Sequence, residues 1–353
     1  MAYTTIDDPS AYFQTALYTG NSSTNVITND GNSDLQADWI WLKERSSTSY
    51  HHVFDSTRGV GGSGKALYPN DTSAEGDDTA FTSFDSDGFT LANTGGFNES
   101  GVTNVAWQWK ANGGTTSSNT DGSITSTVQA NTTAGFSIVT YTGNGTVADS
   151  NTNVGHGLSQ ALDLLIIKDR DASVNWNVWH KDFSGSEVAY LNLTNAKNSD
   201  GNVWANSPPT SSVFYVGNSE VNANTRNYVA YCFAEKQGYS KFGSYTGNGS
   251  EDGPFVYTGF KPQWIMFKNT GAAEEWVLQD TTRNPNNPVT KNIRVDSNIA
   301  EADASNIDID FLSNGFKNRS DQAQVNSNGV VYIYMAFAEH PFVSSEGVPV
   351  TAR

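Results

Sequence analysis

The tetrapeptide Tyr-Thr-Gly-Asn occurs three times, at residues 18–21, 141–144 and 245–248, so its first residues are spaced by 123 and then 104 positions. Each copy precedes a run of four apolar residues closed by a lysine: Trp39 to Leu42 before Lys43, Leu164 to Ile167 before Lys168, and Trp264 to Phe267 before Lys268. A third block ends each stretch, with Val105, Trp107 and Trp109, then Val229, Tyr231 and Phe233, then Ile333, Met335 and Phe337 at matching places. Three blocks in one order, three times over, describe a triplicated module. A period near 100 residues is too long for a solenoid, whose repeats cannot fold alone, and predicts three separately cored domains. The expected divisions are 1–112, a polar linker at 113–134, then 135–236 and 237–341, with a tail at 342–353. Because 113–134 lacks large apolar residues, it reads as a flexible or extended segment and the first place for proteolysis.

Each module reads as strands. In the closing blocks large residues alternate with small ones such as Ala106, Ala230 and Ala336, the period-two pattern of a strand with one face in a core. The runs at Trp39, Leu164 and Trp264 are apolar on both faces and must be covered on both, as in the middle of a layered structure. Asp85-Ser86-Asp87-Gly88 and Leu312-Ser313-Asn314-Gly315 are tight-turn signals. No segment holds a capped helical stripe over three turns. The expected class is all-β, three tandem β-sandwiches of jelly-roll or lectin-like type.

Composition narrows the function classes. The 37 acidic and 20 basic side chains give a formal charge of −17, which repels phosphate backbones and anionic lipid, so neither nucleic acid nor membrane insertion is expected. Cys232 is the single cysteine and excludes an internal disulfide. The opening residues 1–8 lack the basic and apolar regions of a signal peptide, and the expectation is synthesis in a cytoplasm.

The chemical motifs are weak. Residues 59–65 have the spacing of a phosphate-binding loop, but Ala66 stands where a hydroxyl would hold Mg²⁺ and the flanks are strand-like. His51, His52, His156, His180 and His340 lack zinc-ligand spacing. The turn at Asp85 and Asp87 offers oxygen ligands for Ca²⁺, although a metal-free turn is the commoner use of that pattern. No catalytic, cofactor-binding or metal residue is expected. Repetition supplies another filter: classes recurring in all three modules are scaffold, and a large side chain found in one needs another reason. Trp176 and Trp276 recur and are assigned to the core. Trp204, on a polar loop ending in Pro208-Pro209, has no counterpart; it either covers its own loop or contacts a glycan or protein.

The opening Phe13 to Asn21, the stretch Ser118 to Val128, the stretch Tyr228 to Gly243 and the closing Tyr334 to Phe342 together resemble repeated domains in virion proteins of marine tailed bacteriophages, of tail or fibre type. The resemblance covers nearly the whole chain and brings no catalytic residues. It implies a non-enzymatic structural protein of the virion, tail fibre or head decoration, made in the host cytoplasm, with other virion proteins and a host surface glycan as partners. A carbohydrate-binding lectin-like module and a glycoside hydrolase are the alternatives. A homo-oligomer, as a trimer, is expected on three grounds: unpaired sheet edges, solubility from charge, and analogy with phage fibres.

Overall fold

A computed structural model describes residues 3–59, 64–92, 96–147, 149–200, 202–303 and 306–350. The chain is nearly all β, 42% strand and 3% helical, in antiparallel sheets. The three sequence blocks fall on three adjacent strands of one four-stranded kernel that each unit repeats. In the first unit its order is Phe13–Thr19, Thr103–Trp109, Trp39–Glu44, His52–Asp55. The second repeats it with Phe136–Thr142, Asn227–Phe233, Leu164–Asp169 and Asn177–His180, and the third with Ser240–Thr246, Val331–Pro341, Phe260–Asn269 and Val277–Asp280. The registers agree: Trp39 faces Trp109, Leu164 faces Phe233, and Trp264 faces Phe337. A smaller sheet accompanies each kernel: Asn25–Ile27 with Gly88–Leu91 and Phe81–Asp85, then Asn153–Gly155 with Val213–Tyr215, then Phe255–Tyr257 with Gly315–Asn318 and Ile309–Leu312.

The alternation in the closing strands separates two kinds of core. The small-residue face meets the unit's own smaller sheet: Ile40, Leu42 and Ala106 pack with Ile27, Phe81 and Phe89 in the first unit, and Ile265, Phe267 and Ala336 with Val256, Phe311 and Phe316 in the third. The large-residue face meets the other units. Trp39, Trp107 and Trp109 share one cluster with Phe136, Tyr231, Phe233, Trp264, Met335 and Phe337. Rings touch across every pair of units: Trp39 on Tyr231 at 4.6 Å, Phe13 on Phe337 at 5.1 Å, and Phe233 on Phe337 at 6.1 Å between centroids. The first and third units thus keep cores of their own, as expected, and a further cluster shared by all three units adds what the sequence reading did not foresee. Aromatic side chains of about 150–250 Å² each sit on faces too wide and apolar for water, so the three units close on one another around a common aromatic centre.

The expected linker is corrected. Ser117–Asn119 and Ser126–Asn131 are strands that extend the second unit's sheet, pairing outward from Phe136–Thr142. Asp38 anchors the start of the segment, its carboxylate accepting the backbone N–H groups of Ala111, Gly113 and Gly114 at 2.8–2.9 Å. Val128 and Gln129 are buried. Small β-compatible residues suffice here because the neighbouring strand supplies the hydrogen bonds.

The Tyr-Thr-Gly-Asn repeat is a clamp. Tyr18, Tyr141 and Tyr245 donate through their hydroxyls to the carbonyls of Phe97, Val221 and Val325. The backbone N–H groups of Asn21, Asn144 and Asn248 donate to the side chains of Asn98, Asn222 and Asn326, the next residues along. Both ends of the motif thus grip two consecutive residues of a second loop. Glycine is required between them because that loop lies so close: a Cβ on Gly20, Gly143 or Gly247 would stand 2.1–2.3 Å from a backbone carbonyl oxygen.

Candidate functional site

Some buried ionisable side chains, such as His156 and Asp169, are satisfied within one unit, but many gather at the joints between units. A backbone hydrogen bond recurs at each: Glu75 N–H to Arg170 C=O at 2.8 Å, Lys197 N–H to Thr270 C=O at 3.3 Å, and Glu301 N–H to Arg45 C=O at 2.9 Å. The first unit meets the second, the second the third, and the third the first. Beside this bond the indoles of Trp176 and Trp276 donate to the carbonyls of Tyr68 and Tyr190 in the adjoining unit. The equivalent position in the first unit is His51. Its Nδ1 accepts from the Trp41 indole at 2.9 Å, which places the proton on Nε2, and Nε2 donates to the Arg294 carbonyl at 3.0 Å. Burial, with Lys43 nearby, holds this imidazole well below its ordinary range and therefore neutral.

Of the lysines that close the apolar runs, two, Lys43 and Lys268, reach across a joint. Lys43, Lys168 and Lys268 are all fully buried. Lys43 donates to the carbonyls of Glu44 and Asn298, Lys168 to those of Asp169 and Ala172, and Lys268 to those of Thr194 and Glu274. Burial pushes each ammonium down to about 8.

Two joints carry a buried ionic network. Arg58, held by Asp55 at 2.5 Å and Glu75 at 2.8 Å, has no exposed side-chain surface, and Arg170 of the second unit grips Glu75 with two nitrogens. Tyr231 of the second unit donates to Asp55 at 2.7 Å. The joint between third and first units repeats this with Arg283, Asp280, Glu301 and Arg45, and Trp107 donates to Asp280 at 3.0 Å. Burial alone would push Arg58 down, but Asp55, Tyr231 and Glu75 outweigh it and hold its guanidinium above the ordinary range. Burial likewise opposes ionisation of Glu75 and Glu301, and their paired arginines reverse the effect and lower both carboxyls. The joint between second and third units has none of this. His180, Phe183, Thr270 and Met335 occupy the places of the Asp, the two Arg and the Tyr or Trp. Burial pushes His180 down to about 4, and Lys197 lies 5.5 Å over the Phe183 ring.

The residues singled out from sequence fall elsewhere. Trp204 is 1% exposed and its indole donates to the Glu187 carbonyl at 3.0 Å. It closes its own loop, the first of the two readings the sequence offered, and a side chain so buried presents no face to a glycan or protein, which removes the second. Of the phosphate-loop lookalike, residues 60–63 lie outside the described residues, while Lys65 pairs with Asp77 at 2.6 Å. Asp85 accepts from the hydroxyls of Ser83 and Thr90, and Asp87 from the Leu35 N–H, so both carboxylates brace their hairpin. Among the described residues no group of three or more His, Cys, Asp or Glu is placed to hold a metal.

Sequence reasoning missed a cleft of about 920 Å³ in the third unit, bordered by Lys261, Thr281, Asn286, Leu312, Glu339 and His340. Lys261 and Glu339 pair across it at 2.8 Å. The Asn287 carboxamide exchanges two hydrogen bonds of 2.9 Å with the Phe311 backbone and holds one wall in place. The available signal was Asn284-Pro285-Asn286-Asn287-Pro288, a proline-bearing loop that the other units lack.

The chain belongs to a family described as a domain of unknown function, DUF7483, whose model matches residues 8–341. That match runs across all three units and the 113–134 segment. No curated protein and no solved structure matches the chain.

Proposed function

We propose that this chain is a non-enzymatic structural protein of a tailed-phage virion, of tail-fibre or head-decoration type, exposed on the particle and built of three β-sandwiches of jelly-roll or lectin-like kind. The observation that carries the reading is the use made of the buried charges. Arg58, Arg283, Asp55, Asp280, Glu75, Glu301, Lys43 and Lys268 are all engaged in holding the units together, while Lys168 donates to carbonyls of its own unit. Perturbed ionisable groups mark a reactive centre when they converge on a cleft; here they converge on joints, as in a body made to keep its shape. The net charge of −17 suits an outer surface better than contact with packaged DNA. The strands Phe13–Thr19 and Ser240–Thr246 are paired on one side only, unlike Phe136–Thr142, and parallel association into a trimer is one way to cover such edges.

Mass spectrometry of purified particles of the phage that encodes the chain, with gold-labelled antibody seen by electron microscopy, tests the reading. The chain is expected in the particle in multiple copies with label on its outside. Its absence from particles, with presence in the infected cell, would overturn the proposal. Light scattering tests the trimer: a mass of 38.1 kDa at micromolar concentration would exclude it.

A further inference from the structure

Comparison of the three smaller sheets singles out one surface. Ile27, Val154 and Val256 are equivalent, each buried opposite a buried phenylalanine, Phe89, Phe214 and Phe316. The residues on either side of them point the other way. In the first unit these are Val26 and Thr28, and in the second Asn153 and Gly155. Asn119 covers the second pair so closely that a Cβ on Gly155 would meet its carboxamide oxygen at 1.8 Å. In the third unit they are Phe255 and Tyr257, 47% and 53% exposed. Among the described residues of the three smaller sheets, only the third unit's carries exposed aromatics on its outer face; Tyr215, opposite Asn153 in the second, is partly buried.

Both rings are held in place. A Cβ on Gly315 would lie 3.1 Å from Phe255 Cε2, so the ring rests over a glycine that offers no side chain to tilt it. The Tyr3 hydroxyl donates to the Gly259 carbonyl at 2.7 Å and therefore accepts from Tyr257, 3.1 Å away, which fixes the second ring. Across the sheet, Tyr257 pairs with Gly315 and Gly315 with Leu312, and Leu312 borders the cleft described above. Two strand spacings, about 10 Å, separate the backbone of Tyr257 from that of Leu312, which shares its cleft with the polar groups Asn286, Glu339 and His340.

We propose that the outer face of the third unit's smaller sheet binds a neutral or amino-bearing oligosaccharide, whose sugar rings stack on Phe255 and Tyr257 while its hydroxyls reach the cleft. A pyranose presents an apolar C–H face and a polar rim, and fits a surface of fixed rings followed by carboxamide, carboxylate and imidazole. Fixed rings lose little freedom on binding. A protein partner would need about 800 Å² with an apolar centre, and two rings beside the Lys317–Asp252 and Arg319–Asp310 ion pairs do not provide one. Locally Glu339 is paired with Lys261 and Asp252 with Lys317, so the sign follows from the net −17, which disfavours sugar acids and tolerates amines.

The use of this surface on a host rests on the virion reading above, but the binding does not, and it is measured on the isolated full chain. The probes are an array carrying maltohexaose, cellohexaose, N-acetylchitohexaose, chitosan hexamer and oligogalacturonate. Binding to at least one neutral or amino-bearing probe is expected, with oligogalacturonate blank. Phe255→Ala with Tyr257→Ala is expected to weaken it about tenfold or more, in line with the loss of two ring contacts, and Tyr257→Phe to retain most of it. Phe255→Val with Tyr257→Thr, which installs the first unit's own residues, guards against misfolding and is expected to match the double alanine variant. No binding to neutral or amino-bearing probes, preference for oligogalacturonate, or wild-type binding by folded double variants would each overturn the proposal. Binding that follows this pattern in a chain absent from particles would sink the virion reading alone.

Discussion

The joints on either side of the first unit are held by buried arginines and carboxylates, while the joint between second and third units has a neutral histidine, a phenylalanine and a threonine at the same places. The difference tracks the covalent connection. Second and third units are joined by a short turn in which Tyr239 and Ser240 donate back to the Lys236 carbonyl. That turn keeps the two faces together at little entropic cost. Arg45 and Glu301 are 256 residues apart, and nothing but side chains and backbone contacts brings them together. A buried ion pair adds little net stability compared with a well-packed apolar pair, yet it punishes any arrangement that leaves one charge alone. Such pairs select the correct closure among apolar faces that could meet in several ways.

The largest expected effect comes from breaking one network and leaving the neutral joint alone. Arg283→Met strands Asp280 without its arginine and leaves Glu301 with Arg45 alone, and should lower unfolding free energy by about 3–5 kcal/mol in denaturant titration. His180→Met at the equivalent joint should cost under about 1.5 kcal/mol. Equal losses would show that the joints do not differ in kind.

A smaller loss is expected where the clamp is disturbed within a unit. Gly143→Ala forces a Cβ against the Ala223 carbonyl and should cost about 1–3 kcal/mol, without altering how the joints compare. If Gly143→Ala separated the units while leaving each folded, the clamp would belong to the joints after all.

Acid and base should sharpen the comparison in opposite directions. The folded pKa of His180, about 4, lies below its unfolded value. The unfolded chain therefore binds the extra proton, and stability falls as pH drops from about 6.5 towards 4. His180→Asn should flatten part of that fall in a plot of Tm against pH. Glu75 and Glu301 have lowered carboxyls, so the ionic joints lose their contribution later, as pH falls below the ordinary glutamate range. On the alkaline side Lys43, Lys168 and Lys268 titrate near 8 when folded. The unfolded state then holds more protons between about 8 and 10.5, and stability should rise across that window. A Lys268→Met variant with an unchanged alkaline slope would refute this account of the buried lysines.

The smallest effect belongs outside the joints. Lys65 and Asp77 form an exposed pair, and Lys65→Ala should change stability by no more than about 0.5 kcal/mol. A larger change would mean that this loop contributes to closure.

Much of the architecture was legible because recurrence and period-two alternation are properties of the chain itself. The blocks at Trp39, Leu164 and Trp264 and those at Trp109, Phe233 and Phe337 were recognised as strands, and they are the paired central strands of each kernel. The lysines were visible too, but a lysine ending an apolar run reads as one whose ammonium reaches water, and only carbonyls brought to it by the fold, from a neighbouring unit for Lys43 and Lys268 and from its own for Lys168, make it an interior residue. Trp204 misled because its sequence neighbours are polar, whereas its burial comes from the Glu187 strand folding over it. The segment 113–134 misled for the converse reason: small polar residues form good strands when an adjacent strand offers its edge. Of the candidate saccharide surface, Phe255 and Tyr257 could have been found by asking which large residues occur in one unit alone, the question that pointed to Trp204.

The sequence by itself determined that there are three units, which strands build each kernel, and which side of the closing strands is wide and which narrow. It could not determine what lies against the wide side. Alternation records that a face is removed from water, and water is excluded equally well by a sheet of the same unit or by the face of another. The tertiary structure decided between them, because Trp39, Trp109, Phe233 and Phe337 stand on the face turned away from each unit's smaller sheet and find their complement in one another across the units.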